Sequence, residues 1–93
     1  MGISQTLKAL ADPVRRGILE MLKHGSKSAG EIAQAFELTP ATVSYHLSQL
    51  KKAGLLIEEK QKNFIYYSLD VTVFEEILVW FQSLEGGNEN GKK

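Results

Sequence analysis

Apolar positions recur at helical spacing along most of this chain and alternate in only one region. In residues 4–11, Leu7 and Leu10 share one side. Asp12-Pro13 then interrupts the pattern. Asp12 suits an N-cap and Pro13 a first helical turn, so a second helix is predicted through Val14, Ile18, Leu19, Met21 and Leu22, with Gly25 after His24 as its stop. Ser28-Ala-Gly-Glu31 has the spacing of a capping box and opens a third helix with Ile32, Ala33 and Phe36 inward. Glu37-Leu38-Thr39 forms a short turn into a fourth helix. Thr39 caps it, Pro40 takes its first position and Gly54 ends it.

After Gly54 the period changes. Leu55–Lys60 and Phe64–Leu69 are rich in β-branched and aromatic residues, and Ile65, Tyr67 and Leu69 alternate with Phe64, Tyr66 and Ser68. Gln61-Lys62-Asn63 predicts the hairpin turn, with Asn63 tolerant of a positive φ. Asp70 caps a last helix, Val71–Leu84. Val73, Phe74, Ile77, Leu78, Trp80, Phe81 and Leu84 give it more apolar surface than one face of a surface helix needs, and the excess predicts a subunit interface. Residues 1–84 are therefore expected to form one domain. Residues 85–93 have no apolar side chain and are expected to be a disordered tail.

Two short helices joined by a three-residue turn form a helix-turn-helix, and a hairpin directly after the second helix is a wing. The expected fold is mainly α with a small β-hairpin, a winged helix-turn-helix. The fourth helix carries the functional signal. Val43, Leu47 and Leu50 form its core stripe; Ala41, Tyr45, Ser48 and Lys52 lie opposite, flanked by Ser44 and Gln49. Residues 39–54 contain no carboxylate. A face of short hydrogen-bonding groups ending in lysine suits a DNA groove, where phosphates repel acids and base edges can be read. Packing on two sides, or against a protein partner, is the alternative from this helix alone.

Composition changes this picture little. Ninety-three residues make one small domain that dimerisation would help to stabilise. There are no cysteines, so disulfides, thiolate metal sites and thiol redox sensing are excluded. No apolar run reaches the roughly 20 residues that span a bilayer, and Met-Gly-Ile-Ser-Gln-Thr does not resemble a signal peptide. A cytoplasmic, nucleoid-associated protein with no membrane insertion is expected. The net charge of zero counts against nucleic-acid binding. Its distribution is uneven, however: residues 1–63 carry nine Lys/Arg against six Asp/Glu, whereas residues 70–85 carry four acids and no base. No nucleophile–base pair, glycine-rich phosphate loop or metal cluster suggests an enzyme.

Together, Ala9–Leu19 (Ala-Leu-Ala-Asp-Pro-Val-Arg-Arg-Gly-Ile-Leu), Ala29–Ala33, Thr42–Leu47 with Leu50–Leu55, and Tyr67-Ser-Leu69 resemble the ArsR family of small bacterial winged-helix repressors. The Cys-free sequence and the Phe64–Leu69 strand are similar to a metal-independent branch of it. The resemblance implies a homodimer joined through the first and last helices, and a fourth helix that enters the major groove of a double-stranded operator. It places Pro40, Ala41, Ser44 and Tyr45 against DNA, the face that helical spacing selects independently. Thr42, His46, Ser48, Gln49 and Lys52 complete the candidate set on that helix, with Lys60, Lys62 and Asn63 on the wing. The candidate dimer interface is Leu7, Leu10, Phe74, Ile77, Leu78, Trp80, Phe81 and Leu84.

The chain departs from the family pattern. Pro40 and Ala41 offer only apolar contacts where relatives often have Gln or Ser, and Tyr45 stands where His is common. The wing tip lacks the usual Arg and Gly. The family's metal-binding cysteine pair maps to Ser28 and Gly30, and the last helix has no His, so neither a metal site nor any other cofactor is expected. The inducing signal is not legible. A winged-helix module that mediates protein contacts without DNA is the alternative, favoured by the neutral net charge. Some residues keep two readings. His46 lies about 60° from the core stripe and can pack beside it or touch DNA. Arg15 and Arg16 can meet phosphate or pair with Glu20 or Glu31. Phe64 and Tyr66 can stack on nucleotides or pack on protein. An effector pocket beside Trp80 and Phe81, between subunits, also stays open.

Overall fold

A computed structural model describes residues 2–86. Five helices and three strands follow in the order α1 (Ile3–Leu10), α2 (Pro13–Leu22), β1 (Lys27–Ser28), α3 (Ala29–Phe36), α4 (Pro40–Lys52), β2 (Leu56–Gln61), β3 (Phe64–Leu69) and α5 (Val71–Gly86). This is the expected winged helix with one addition. The two-residue strand β1 pairs antiparallel with β3, Lys27 opposite Tyr67 and Ser28 opposite Tyr66, making a three-stranded sheet in the order β1-β3-β2. Two residues are too few to show alternation, so periodicity does not reveal β1.

Local chemistry sets the helix ends. The Asp12 carboxylate accepts from the Arg15 backbone N–H at 3.0 Å and starts α2. Ser28 and Glu31 form the reciprocal capping box of α3, at 3.2 and 2.8 Å. Thr39 accepts from the Thr42 N–H at 3.2 Å and starts α4. The α3–α4 turn is tight because Glu37 is left-handed, with φ 54°. The Leu38 N–H returns to the Ala33 carbonyl and the Glu37 N–H to the Gln34 carbonyl, a Schellman motif. The same pair of bonds ends α4, from Leu55 to Leu50 and from Gly54 to Lys51, with Gly54 at φ 79°.

The core lies where α2, α3, α4 and the base of the sheet meet. Ile18, Ile32, Val43, Leu50 and Leu55 are its fully buried large side chains. Gly17 lets α2 approach Phe36 of α3; a Cβ there would lie 2.9 Å from the ring.

The sequence expectations fail at several boundaries. The left-handed turn residue in the hairpin is Lys62, with φ 57°, rather than Asn63, because Gln61 still pairs with Phe64 and only Lys62-Asn63 are left to turn. Helix α5 continues through Glu85 to Gly86, two residues into the expected tail; residues 87–93 lie outside the described residues. Ile77 is buried within its own chain, so it belongs to the protomer core rather than a free interface, and Leu10 and Phe74 also pack partly against that core. Among the described residues no helix is long and apolar enough to cross a membrane.

Candidate nucleic-acid interface

Helix α4 buries Val43, His46, Leu47 and Leu50. Its opposite side presents Pro40, Ala41, Ser44, Tyr45, Ser48 and Lys52 to solvent, and Tyr45 is 57% exposed. Thr42 and Gln49 are half-buried at the edges. Thr42 is engaged in the cap, where its hydroxyl accepts from that of Thr39 at 2.9 Å. The face is continuous, free of acids and open.

His46 is not part of that face. It is buried to 9% exposure, and its Nδ1 lies 3.3 Å from Arg15 Nη1 and 3.9 Å from Asp12 Oδ2. It packs between α4 and the start of α2, which corrects its placement among base-contacting candidates. The reason is tertiary: α2 crosses α4 at the flank that a helical wheel leaves undecided. Arg15 explains the arrangement. Its Nε donates to the Ala9 carbonyl at 2.8 Å and its Nη2 to the Lys8 carbonyl at 3.2 Å, while Arg16 Nη1 donates to the Leu10 carbonyl at 2.8 Å. Both arginines therefore tie α2 to the carbonyls at the end of α1, where Lys8 O also accepts the Ala11 N–H. Glu20 pairs with Lys23 and Glu31 with its own cap, so neither serves as their partner. The Asp12 carboxyl is held below its ordinary value, chiefly by the Arg15 backbone N–H and then by the charges of His46 and Arg15, against the opposing effect of burial.

The wing stands off the body. Only Leu56 of β2 is buried, and exposure persists through Phe64 and Ile65. Lys60, Lys62 and Asn63 are all exposed. Strand alternation puts Leu56, Glu58 and Lys60 on one face, opposite Leu69, Tyr67 and Ile65 of β3. This face turns toward α4, because Glu58 forms an ion pair with Lys51 there. Phe64 and Tyr66 lie on the other face with ring centroids 6.4 Å apart, each packing partly on its neighbour. Sequence reasoning missed Lys51 and Glu58. Their meeting depends on how the hairpin folds back on α4, for which seven residues of separation give no local signal.

A second surface lies at the far end of α5. Val73 and Ile77 anchor this helix, whereas Leu78, Trp80, Phe81 and Leu84 are exposed, as is Leu7 on α1. Between α1 and α5 runs a groove of about 200 Å³ lined by Gly2, Ile3, Thr6, Val73, Glu76, Ile77 and Trp80.

Residues 10–59 match a family model described as a helix-turn-helix domain. The chain is 36% identical to the transcriptional repressor SdpR of Bacillus subtilis, over 95% of this chain and 98% of that protein. The fold matches the crystal structure of an ArsR family transcriptional regulator with a TM-score of 0.87, at 24% identity, covering 96% of this chain and 98% of the other. It also matches the homodimeric winged helix-turn-helix DNA-binding domain (fragment 1–100) of a "possible ArsR-family transcriptional regulator" from Mycobacterium bovis. That match has a TM-score of 0.74 at 25% identity, covering 95% and 82% of the two chains. With its helix-turn-helix, its wing and this similarity over nearly its full length, the chain belongs to the ArsR family of winged helix-turn-helix transcriptional regulators.

Proposed function

We propose that this protein is a cytoplasmic, nucleoid-associated repressor that acts as a homodimer on a palindromic operator without a metal sensor. The observation that carries the reading is the outer face of α4, exposed from Pro40 to Lys52 and free of carboxylates. Ser44, Tyr45, Ser48 and Gln49 supply donors and acceptors for base edges, and Ala41 an apolar contact for a thymine methyl. Lys52 at the end of the helix, with Lys60, Lys62 and Asn63 of the wing, would meet phosphate. Similarity to a repressor over nearly the whole chain supports the direction of regulation. The exposed apolar side chains of α1 and α5, and a homodimeric neighbour of the same fold, support the dimer. A two-fold dimer would set one α4 into each half-site, about one helical turn apart. The absence of cysteine throughout the sequence supports a signal other than thiolate-bound metal.

Ser44→Ala with Tyr45→Ala tests the interface. Both side chains are exposed, so the thermal transition should stay within a few degrees of the parent. Operator affinity should fall at least tenfold, since each specific contact contributes about 1–3 kcal/mol. Micromolar zinc should leave the parent's affinity unchanged. A double variant that footprints the operator as well as the parent does would reject α4 as the reading element.

A further inference from the structure

Between the last turns of α4 and the base of the wing lies a groove of about 220 Å³, lined by Ser44, Leu47, Ser48, Lys51, Glu58 and Tyr67. Lys51 and Glu58 are joined across it by a charge-assisted hydrogen bond from Nζ to Oε1. The Lys51 side chain is 58% exposed and that of Glu58 29%. The lysine is thus within reach of a ligand, while the carboxylate sits deeper, on the wing face turned to α4. The hydrogen bond to Glu58 and then its charge raise the Lys51 pKa, and burial followed by the same charge raises that of Tyr67.

Resting on the DNA-binding reading above, we propose that Glu58 acts as a built-in competitor for DNA phosphate at Lys51 and so restrains non-specific binding. Lys51 lies one turn beyond Ser48 and beside Lys52, on the flank of the outer face of α4. By position it should add a phosphate contact. In the folded chain its ammonium instead meets a carboxylate oxygen with the charge and hydrogen-bonding character of a phosphate oxygen. A lysine that neutralises a DNA phosphate displaces a cation condensed on the DNA, and that release drives association. Lys51 is already neutralised by Glu58, which is covalently tethered and cannot diffuse away. A phosphate approaching Lys51 therefore meets a fixed negative charge, and no condensed cation is displaced there. The lysine is therefore withdrawn from the sequence-independent part of binding, while the base-reading side chains of α4 remain free. The neutral net charge of the chain fits the same economy of phosphate contacts.

The test is a four-cornered cycle of parent, Glu58→Gln, Lys51→Ala and the double variant, binding mixed-sequence duplex DNA from 50 to 200 mM salt. Circular dichroism would confirm that each is folded. Glu58→Gln should steepen the log–log salt slope by about one and tighten binding roughly tenfold at the lowest salt. Lys51→Ala alone should leave the slope unchanged, and the double variant should return to the parent's slope. Glu58→Ala should act as Gln does. If Lys51→Ala alone lowers the slope by about one, Lys51 already holds phosphate and the proposal fails. It fails equally if Glu58→Gln tightens binding just as much without Lys51, because the carboxylate then acts only by general repulsion. A parent that binds no DNA at 50 mM salt overturns the DNA reading itself, an outcome distinct from a flat cycle in a protein that binds.

Discussion

At the scale of single residues, the start of α2 concentrates several roles in few atoms. Asp12 caps the helix, Arg15 closes the end of α1, and His46 of α4 packs against both. Asp12→Ala should cost about 1 kcal/mol at neutral pH, the usual loss for such a cap, measured by urea unfolding. The pH dependence has a definite sign. Folding lowers the Asp12 pKa, so its contribution is complete above the ordinary carboxylate range and is lost as the pH falls through that range and below. Asp12→Asn keeps an acceptor for the Arg15 N–H but cannot titrate. Its stability should decline less than the parent's between pH 6 and pH 3. Parallel declines would show that the Asp12 charge contributes nothing. The caps themselves were legible in the sequence, because Asp12, Ser28 and Thr39 act on backbone groups two or three residues away. His46, Arg15 and Arg16 were not, since their partners lie six, seven or thirty-one residues distant. Lys62 in the left-handed turn was missed for another reason: pairing of Gln61 with Phe64 set the turn and overrode the preference of Asn63.

Among the elements, α5 has two parts with different work. Val73 and Ile77 seal the protomer, while Leu78, Trp80, Phe81 and Leu84 remain uncovered. Substitutions in the two parts should therefore differ in kind. Trp80→Ala with Phe81→Ala should leave the helical spectrum nearly intact but weaken self-association by about a hundredfold or more, since burying each side chain is worth about 1.5–3 kcal/mol. Ile77→Ala should instead lower the stability of the fold by about 2–5 kcal/mol. Sedimentation of the parent at micromolar concentration should give twice the 10.4 kDa chain mass. A monomeric parent, or a double variant that dimerises like it, would contradict this division. The sequence displayed the apolar excess of α5 but not which residues were in excess. That depends on how far the helix runs past the body, and only the packing of Ile77 decides it.

The molecule as a whole presents two distinct surfaces. The outer face of α4 is polar and free of acids, the wing beside it exposes lysines together with Ile57, Phe64 and Ile65, and the distal part of α5 with Leu7 of α1 is apolar. Of the acids in residues 70–85, Glu76 lines the groove between α1 and α5, whereas Asp70 directly follows β3 and its N–H donates to the Leu55 carbonyl. Helix-turn-helix and wing were evident from the change of period at Gly54 and from the caps. The fine electrostatics of the interface, with Lys51 held by Glu58, required the folded hairpin. The central claim, a dimer that reads DNA through two copies of α4, is tested most directly by selecting bound duplexes from random-sequence DNA with the parent protein. An inverted repeat whose half-site centres lie about one helical turn apart should be enriched. Failure to enrich any sequence, or enrichment of a single unrepeated site held by one chain, would contradict it.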